Sequence, residues 1–173
     1  MSDSTPQTEK THLDGTDDTP TYASLVEKYM TSLHDAKMWT PLEKPGQEWA
    51  RFILGGPEDQ HAPHIWFIRL PPNHVTGRHY HNVHRLDLII EGSYMLEGKL
   101  RKAGDITVFK AGVTYGPIVH GPEGSLQMEI FADGSKLDPI FDETPPDYVI
   151  KNFARMGMHA KVVQQSGTKD AKS

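Results

Sequence analysis

The chain has 173 residues, a length that suits one domain with terminal tails better than two domains. Its net charge is −5 and it carries no cluster of Lys and Arg, so we expect neither nucleic acid nor a membrane surface as a partner. It contains no cysteine, which excludes disulfides and thiolate chemistry, and its acidic N-terminus lacks an apolar run, which together predict a soluble cytoplasmic protein.

The first 48 residues divide into two regions. Residues 1–20 are rich in Ser, Thr, Asp and Pro, a composition that predicts a disordered arm. In residues 21–48, apolar residues recur at helical spacing from Tyr22 to Trp39. We expect one amphipathic helix there, ending before Pro41, because the residue before a proline disfavours helical geometry.

Short β-rich runs follow from residue 49 to residue 145, separated by Gly, Pro and Asn. Successive strands without intervening helices predict a sandwich or a barrel. Residues 146–173 then carry a second predicted helix, Tyr148–Met156, and a polar tail. The predicted strands are Ala50–Leu54, His64–Leu70, Leu86–Glu91, Ser93–Glu97, Asp105–Phe109 and Leu126–Ala132.

Histidines are concentrated in one stretch of the predicted barrel. Of the 10 histidines, the spacing of His79 and His81 is the most informative, because side chains two apart on a strand project from the same face. Two imidazoles placed in this way can bind one metal ion, and a third ligand must come from another strand. We interpret three neighbouring histidines outside this run as structural or surface residues: His61, His64 and His74.

The run around these two histidines resembles the first motif of the cupin superfamily, G-x5-H-x-H-x3-4-E-x6-G, which Gly92 closes. Gly104 and Gly112 fit the second motif, G-x5-P-x-G-x2-H-x3-N. Three positions depart from the family pattern: Arg85 replaces the metal-binding Glu, Lys110 the Pro and Tyr115 the second-motif His. The resemblance spans residues 49–133 and implies an all-β fold with a single cupin barrel (a double-stranded β-helix or jelly-roll), an N-terminal helix and flexible tails.

Within the cupins, the sequence is similar to the acetylacetone (β-diketone) dioxygenases, which lack this Glu and hold iron with three histidines. Their third histidine lies in a segment ending His-Gly, which corresponds here to His120. The resemblance therefore implies metal binding by His79, His81 and His120. It favours Fe(II), although Zn, Ni, Cu or Mn would also suit such ligands. His84 is the alternative ligand, but an outward-facing position at the strand entrance is the interpretation that we favour.

Alternation along the next strand places Arg85, Asp87 and Ile89 inside the barrel. A buried Arg and a buried Asp need each other or a substrate, because an unpaired buried charge is costly. Either they form a structural ion pair, with Glu129 as a further partner, or both are catalytic. In the catalytic interpretation, Arg85 neutralises an anionic substrate and Asp87 orients a metal-binding histidine. Tyr115 either offers its hydroxyl to the cavity or is ordinary core packing.

Two functions are compatible with these residues. The first is an Fe(II) dioxygenase that cleaves a C–C bond of a small β-dicarbonyl or related enolisable substrate, with O2 as the second substrate. The alternative is a non-redox cupin isomerase or lyase, or a ligand-binding cupin, that holds a divalent metal. A cupin fold supports many chemistries, so this choice depends on the site. In both cases we expect a small-molecule partner and a homodimer or higher homo-oligomer.

Overall fold

A computed structural model describes residues 31–56 and 58–163. Within this range most of the regular secondary structure is β-strand, which confirms the predicted all-β class and is the architecture that the resemblance to cupins implies. No helix in the described ranges is both long enough and apolar enough to cross a membrane. The strands are β1 (Thr40–Pro41), β2 (Glu48–Ile53), β3 (His64–Leu70), β4 (Val75–Thr76), β5 (His79–His81), β6 (Arg85–Leu96), β7 (Lys99–Lys102), β8 (Ile106–Phe109), β9 (Ile118–Phe131), β10 (Pro139–Phe141) and β11 (Lys161–Val162).

The strands form two sheets. The larger has the order β1-β2-β3-β9-β6-β7, with β4 also paired to β9 and β8 also paired to β6. The smaller has the order β11-β10-β5 and carries the two histidines of the HxH run. All pairs in the larger sheet are antiparallel, and side chains from both sheets line one cavity. The fold thus places the HxH strand opposite the centre of the large sheet.

The two longest strands extend further than the sequence predicts. The predicted strands Leu86–Glu91 and Ser93–Glu97 are one continuous strand, β6, that pairs with β9 through two bulges. Gly92 lies at this irregularity with φ +73°, and a Cβ there would collide with the carbonyl oxygen of Gly124. Gly92 therefore lets the strand continue through this change of register, because only glycine adopts this conformation without strain.

The first predicted helix is wrong over residues 31–39. Residues 22–30 of the predicted helix Tyr22–Trp39 lie outside the described residues. From residue 31 onward the chain forms a turn and a short 3-10 helix, Ala36–Met38, and Trp39 is extended. The Asp35 side chain accepts a hydrogen bond from the backbone N–H of Lys37, so it caps this short turn. Such local capping competes with a continuous helix.

One α-helix, α1 (Asp147–Arg155), lies within one residue of the predicted helix Tyr148–Met156 at each end. It begins after Pro145-Pro146, as expected for residues that restrict the chain to extended geometry before a helix. Phe153 of α1 packs against Phe141 with ring centroids 5.8 Å apart, and residues of the same helix line the cavity. The helix therefore covers the cavity on the side of the smaller sheet.

The main hydrophobic core lies between the sheets and the C-terminal segment. Trp66 is at its centre, with its ring centroid 4.3 Å from that of Phe131 and 6.0 Å from that of Trp49. All three side chains are at most 1% exposed. The other members are Leu42, Val83, Leu137, Met156 and Met158.

Candidate metal and substrate site

A cavity of about 90 Å³ opens between the two sheets and is covered by α1. A cavity needs about 10–15 Å³ to hold one water molecule, so this cavity holds several water-sized groups and limits a substrate to a small molecule. Its walls are largely apolar, with Trp66, Ile68 and Ile118 among them. The polar side chains on its surface include four histidines and two charged groups: His74, His79, His81, His120, Arg85 and Glu129.

His79 and His81 project from β5 to the same side, as the alternation of a strand requires, and their ring centroids are 5.2 Å apart. Each ring is fixed by a hydrogen bond of 2.7 Å from Nδ1 to a backbone carbonyl, that of Gly77 for His79 and that of Leu137 for His81. A carbonyl only accepts, so Nδ1 carries the proton in both rings. Nε2 of each ring is therefore unprotonated and carries a lone pair, which is the tautomer that metal-binding histidines usually show.

His120 reaches the same cavity from β9. Its Nδ1 lies 2.8 Å from the Ser125 hydroxyl, and its Nε2 lies 3.5 Å from the Thr76 hydroxyl. The ring is next to that of His74, with centroids 5.5 Å apart. The structure thus brings together two pairs of histidines, His79 with His81 and His74 with His120, around one cavity.

All three predicted ligands are neutral imidazoles. Burial lowers the pKa of His79 to about 4 and that of His120 to about 3. Burial and the charge of Arg85 lower the pKa of His81 well below its ordinary value. Metal binding needs the neutral ring, so these histidines lose no proton when a cation binds near neutral pH.

The three histidines are suitable ligands for a divalent metal, but they do not form a preformed metal site. Within residues 31–56 and 58–163, no three His, Asp or Glu side chains already have the mutual spacing of a metal site. His79, His81 and His120 are nevertheless anchored, neutral and directed to one cavity, as their hydrogen bonds and pKa values indicate. A side-chain adjustment would be needed to bring the three imidazoles to the spacing of one metal site.

Arg85 is held by two carboxylates. Its Nε lies 2.9 Å from Oδ1 of Asp87, its Nη2 donates to Oδ2 of Asp87, and its Nη1 lies 3.2 Å from Oε2 of Glu129. The guanidinium also lies over the rings of Phe109 and Tyr115, 4.5 and 5.0 Å from their centroids. This is the ion pair of the structural interpretation, including the third partner, and it engages three nitrogens of the guanidinium.

The charges in this cluster perturb one another strongly. Burial raises the pKa of Asp87 well above its ordinary value against the opposing effect of Arg85, and burial likewise raises that of Glu129. Burial lowers the pKa of Arg85, but the two carboxylates outweigh it and raise this pKa above its usual range. One cation between two buried carboxylates leaves an excess negative charge that a bound proton can relieve.

Tyr115 packs in a second apolar cluster with Phe109 and Ile118 and is not among the residues that line the cavity, but its side chain contacts the first predicted ligand, His79. Its hydroxyl is 2.8 Å from Nε2 of His79, and the two residues also exchange backbone hydrogen bonds. Because Nδ1 of His79 carries the proton, the Tyr115 hydroxyl must donate to Nε2. Burial raises the pKa of Tyr115 far above its ordinary value, so the side chain stays a neutral donor.

The other histidines considered in the sequence differ in whether they are exposed or line the cavity. His84 is exposed at the entrance of β6 and accepts a hydrogen bond from the backbone N–H of Ala111, as the favoured interpretation expected. His61 is exposed beside Asp133. His74, in contrast, was interpreted as a structural or surface residue, and the structure corrects this because His74 lines the cavity.

Two further cavity residues were missed from the sequence, Gln47 and Asn152. The Asn152 amide donates to Oε1 of Gln47 at 2.9 Å, and the Gln47 amide lies 3.0 Å from Nδ1 of His74. Gln47 and Asn152 are 105 residues apart, and neither belongs to a motif. No local sequence signal could have found them, because only the packing of α1 against the start of β2 brings them together.

No family model and no curated protein matches this sequence. Among solved structures, a variant of oxalate decarboxylase from Bacillus subtilis is similar over 54% of this chain, with 22% identity and a TM-score of 0.47. The similar region is 27% of that protein, so the present chain corresponds to about a quarter of its length.

Two other solved structures are similar at comparable levels. The polyketide cyclase RemF from Streptomyces resistomycificus is covered over 100% of its chain and 76% of this one, with 16% identity and a TM-score of 0.49. A chain in the complex of SigE with the anti-sigma ChrR from Rhodobacter sphaeroides is covered over 51%, and this chain over 58%, with 20% identity and a TM-score of 0.43. Function must therefore be inferred from the residues of this chain.

Proposed function

We propose that the protein is a metal-dependent enzyme that acts on a small enolisable compound, with a divalent metal held by His79, His81 and His120. The observation that carries this proposal is the pair of buried rings on β5. Both present an unprotonated Nε2 because each Nδ1 donates to a backbone carbonyl. The neutral ring of His120 lies on the same small cavity and supplies the third imidazole.

The charge of the proposed substrate follows from the type of metal ligand. Three neutral imidazoles leave a divalent ion its full charge, which favours an anionic oxygen ligand such as an enolate. When bound, Fe(II) would supply both Lewis acidity toward the substrate oxygens and reactivity toward O2. We accordingly propose C–C cleavage of a β-dicarbonyl by O2 as the reaction.

The chain's own residues then have distinct roles. Nε2 of His79 cannot bind a metal and accept from Tyr115 at once, so metal binding would free the Tyr115 hydroxyl to donate to an oxygen of the substrate. The apolar wall around Trp66 and Ile118 excludes water from the reacting groups. Arg85 and Asp87, tied to each other, hold the wall of the cavity without touching the substrate.

A non-redox isomerase or lyase is the second candidate. It is favoured by one observation, that no three ligating groups among the described residues are already clustered. A weakly bound or dispensable metal would still leave a largely apolar cavity with neutral imidazoles that can move a proton between carbon and oxygen.

Anaerobic reconstitution tests the proposal. The purified protein is loaded with Fe(II), Mn(II), Ni(II), Cu(II) or Zn(II), its metal content is measured, and O2 uptake is followed with a panel of β-diketones. We expect about one metal ion per chain and O2 uptake with the Fe(II) form. Replacing His79, His81 or His120 by Ala should each lower metal occupancy severely. His84→Ala is the matched control, because this exposed ring should leave occupancy unchanged.

Three outcomes would count against the proposal in different ways. Full occupancy in the His120 variant together with loss in the His84 variant would show that the third ligand is wrong. Metal binding without O2 uptake, but with isomerisation or cleavage under nitrogen, would favour the non-redox candidate. Absence of metal binding in all five reconstitutions would refute the metal site. The expected homo-oligomer remains a prediction, which light scattering on the purified protein would check.

A further inference from the structure

His74 is attached to a chain of hydrogen bonds whose direction can be determined. The chain begins at the backbone N–H of Glu43, which lies 2.8 Å from Oδ1 of Asn152. It continues from the Asn152 amide to Gln47 at 2.9 Å, and from the Gln47 amide to Nδ1 of His74 at 3.0 Å. Gln47 is 1% exposed and Asn152 8%, so water does not compete for these bonds.

The direction follows from the first bond. A backbone N–H can only donate, so the Asn152 atom facing Glu43 must be the oxygen, and the other atom of its side chain must be the NH2 group. That NH2 group donates, so the Gln47 atom facing it must be the oxygen. The Gln47 NH2 group is then the one that faces His74.

A donor facing Nδ1 fixes the tautomer of His74. Nδ1 has to accept, so it carries no proton, and the neutral ring carries its proton on Nε2. His79 and His81 have the opposite tautomer, because their Nδ1 atoms donate to carbonyl oxygens. The cavity therefore holds two rings that can bind a metal through Nε2 and one ring, His74, whose Nε2–H can only donate.

We propose that His74 is a binding residue that donates a hydrogen bond from Nε2–H to an anionic oxygen of the substrate. His74 lines the cavity beside His120, with ring centroids 5.5 Å apart, so its ring is next to the third proposed metal ligand. A donor on the wall of the cavity that the proposed metal ligands also line can stabilise an anionic oxygen bound there. The inference rests on the proposed function for the identity of the anion, but the tautomer itself does not depend on it.

The tautomer is tested first, on metal-free protein. Long-range proton–nitrogen NMR of protein labelled with ¹⁵N-histidine distinguishes a ring protonated on Nε2 from one protonated on Nδ1. We expect Nε2–H for His74 and Nδ1–H for His79 and His81, with the His74 signals assigned by their loss in His74→Phe. Gln47→Glu should place a proton on Nδ1 of His74, because a carboxylate only accepts. A wild-type His74 protonated on Nδ1 would overturn the inference.

The donor role is tested by binding, without turnover. Isothermal titration calorimetry measures the affinity of acetylacetone for the zinc-loaded protein, because zinc does not support oxygen chemistry. His74→Phe keeps a ring beside His120 but removes the donor, and we expect acetylacetone to bind about tenfold more weakly or worse. His74→Gln restores an N–H donor and should recover part of the affinity. Both variants should retain the wild-type zinc content.

The failures of the two proposals are distinguishable. Equal affinity of wild type and His74→Phe for acetylacetone would overturn the donor role while leaving the metal site intact. If wild-type zinc protein does not bind acetylacetone at all, the proposed substrate class is wrong and the donor role falls with it. The NMR result would then still establish which nitrogen of His74 carries the proton.

Discussion

Replacing Arg85 by Met tests whether this guanidinium is what makes two buried carboxylates tolerable. Arg85 is 5% exposed, and its partners Asp87 and Glu129 are 1% and 7% exposed. The substitution removes the only cation that contacts both carboxylates in the described part of the chain. Met retains much of the packing against Phe109 and Tyr115, so the loss is chiefly electrostatic.

The magnitude follows from the burial. Removing one partner of a buried ion pair costs about 3–5 kcal/mol, because the remaining charge has neither water nor a counter-ion. For a chain of this size, about 1 kcal/mol corresponds to roughly 2–4 °C in Tm, so the fall should be on the order of 6–20 °C. Lys161→Met is the matched control. Its ion pair with Asp138 is largely exposed, and its loss should cost less than about 1 kcal/mol.

Thermal and denaturant unfolding followed by circular dichroism measure the effect, and the pH dependence identifies its cause. Without Arg85 the pKa values of both carboxylates, already raised by burial, should rise further. The native state then binds more protons than the unfolded chain at pH above about 4, so the variant loses stability as pH rises. Its deficit should shrink between pH 8 and pH 5. A Tm within 2 °C of wild type, or a deficit independent of pH, would refute the reasoning.

The same variant also separates the two interpretations of Arg85 that the sequence left open. If the guanidinium bound the substrate, its loss would weaken acetylacetone binding by the zinc-loaded protein at a temperature where the variant is folded. Because Arg85 is engaged by two carboxylates, we expect the affinity of the folded variant to stay within about threefold of wild type.

Three further predictions concern neighbouring groups. Tyr115→Phe removes the hydrogen bond to His79 but keeps the ring, whose centroid is 4.1 Å from that of Phe109. We therefore expect kcat of the Fe(II) form to fall about tenfold or more, with little change in Tm. An unchanged kcat would contradict a donor role for Tyr115. Glu129→Gln keeps an acceptor for Arg85 and removes a carboxyl group whose pKa is raised by burial. The free energy of unfolding should then fall less steeply between pH 5 and pH 8 than it does in the wild type. An unchanged dependence on pH would contradict the raised pKa of Glu129. Trp66→Ala should cost about 3–5 kcal/mol in urea unfolding, because the ring is 1% exposed in the main core; a loss below about 1 kcal/mol would contradict its placement there.

The features predicted most accurately from sequence are those encoded by adjacent residues. His79 and His81 lie on one face of β5, because side chains alternate along a strand with a period of two residues. For the same reason Arg85, Asp87 and Ile89 lie on one face of β6. The strand His64–Leu70 was predicted with its observed ends, since apolar residues and bounding prolines mark it locally. The helix near Tyr148 was marked by helical spacing after two prolines.

Predictions from the local sequence pattern were wrong where another interaction determined the secondary structure. The helical pattern before Pro41 ends in a capped turn from residue 31 onward, because the Asp35 side chain satisfies the backbone there. The strand β9 starts at Ile118, well before the predicted Leu126, because pairing with β4 and β6 holds a stretch that contains glycine and proline. The strands that pair with β9 are distant from it in sequence, so a local stretch of sequence could not show where β9 begins.

The sequence by itself determined the all-β class, the same-face pair His79 and His81, and the burial of Arg85 with Asp87. Only the tertiary structure decided that Glu129 closes the ion-pair cluster and that His120 lies beside His74. It also decided the tautomer of His74, through amides 105 residues apart. The physical reason is that alternation along one strand is set by neighbouring residues, whereas the direction of a hydrogen bond across the cavity is set by whichever groups the packed sheets and helix α1 bring into contact.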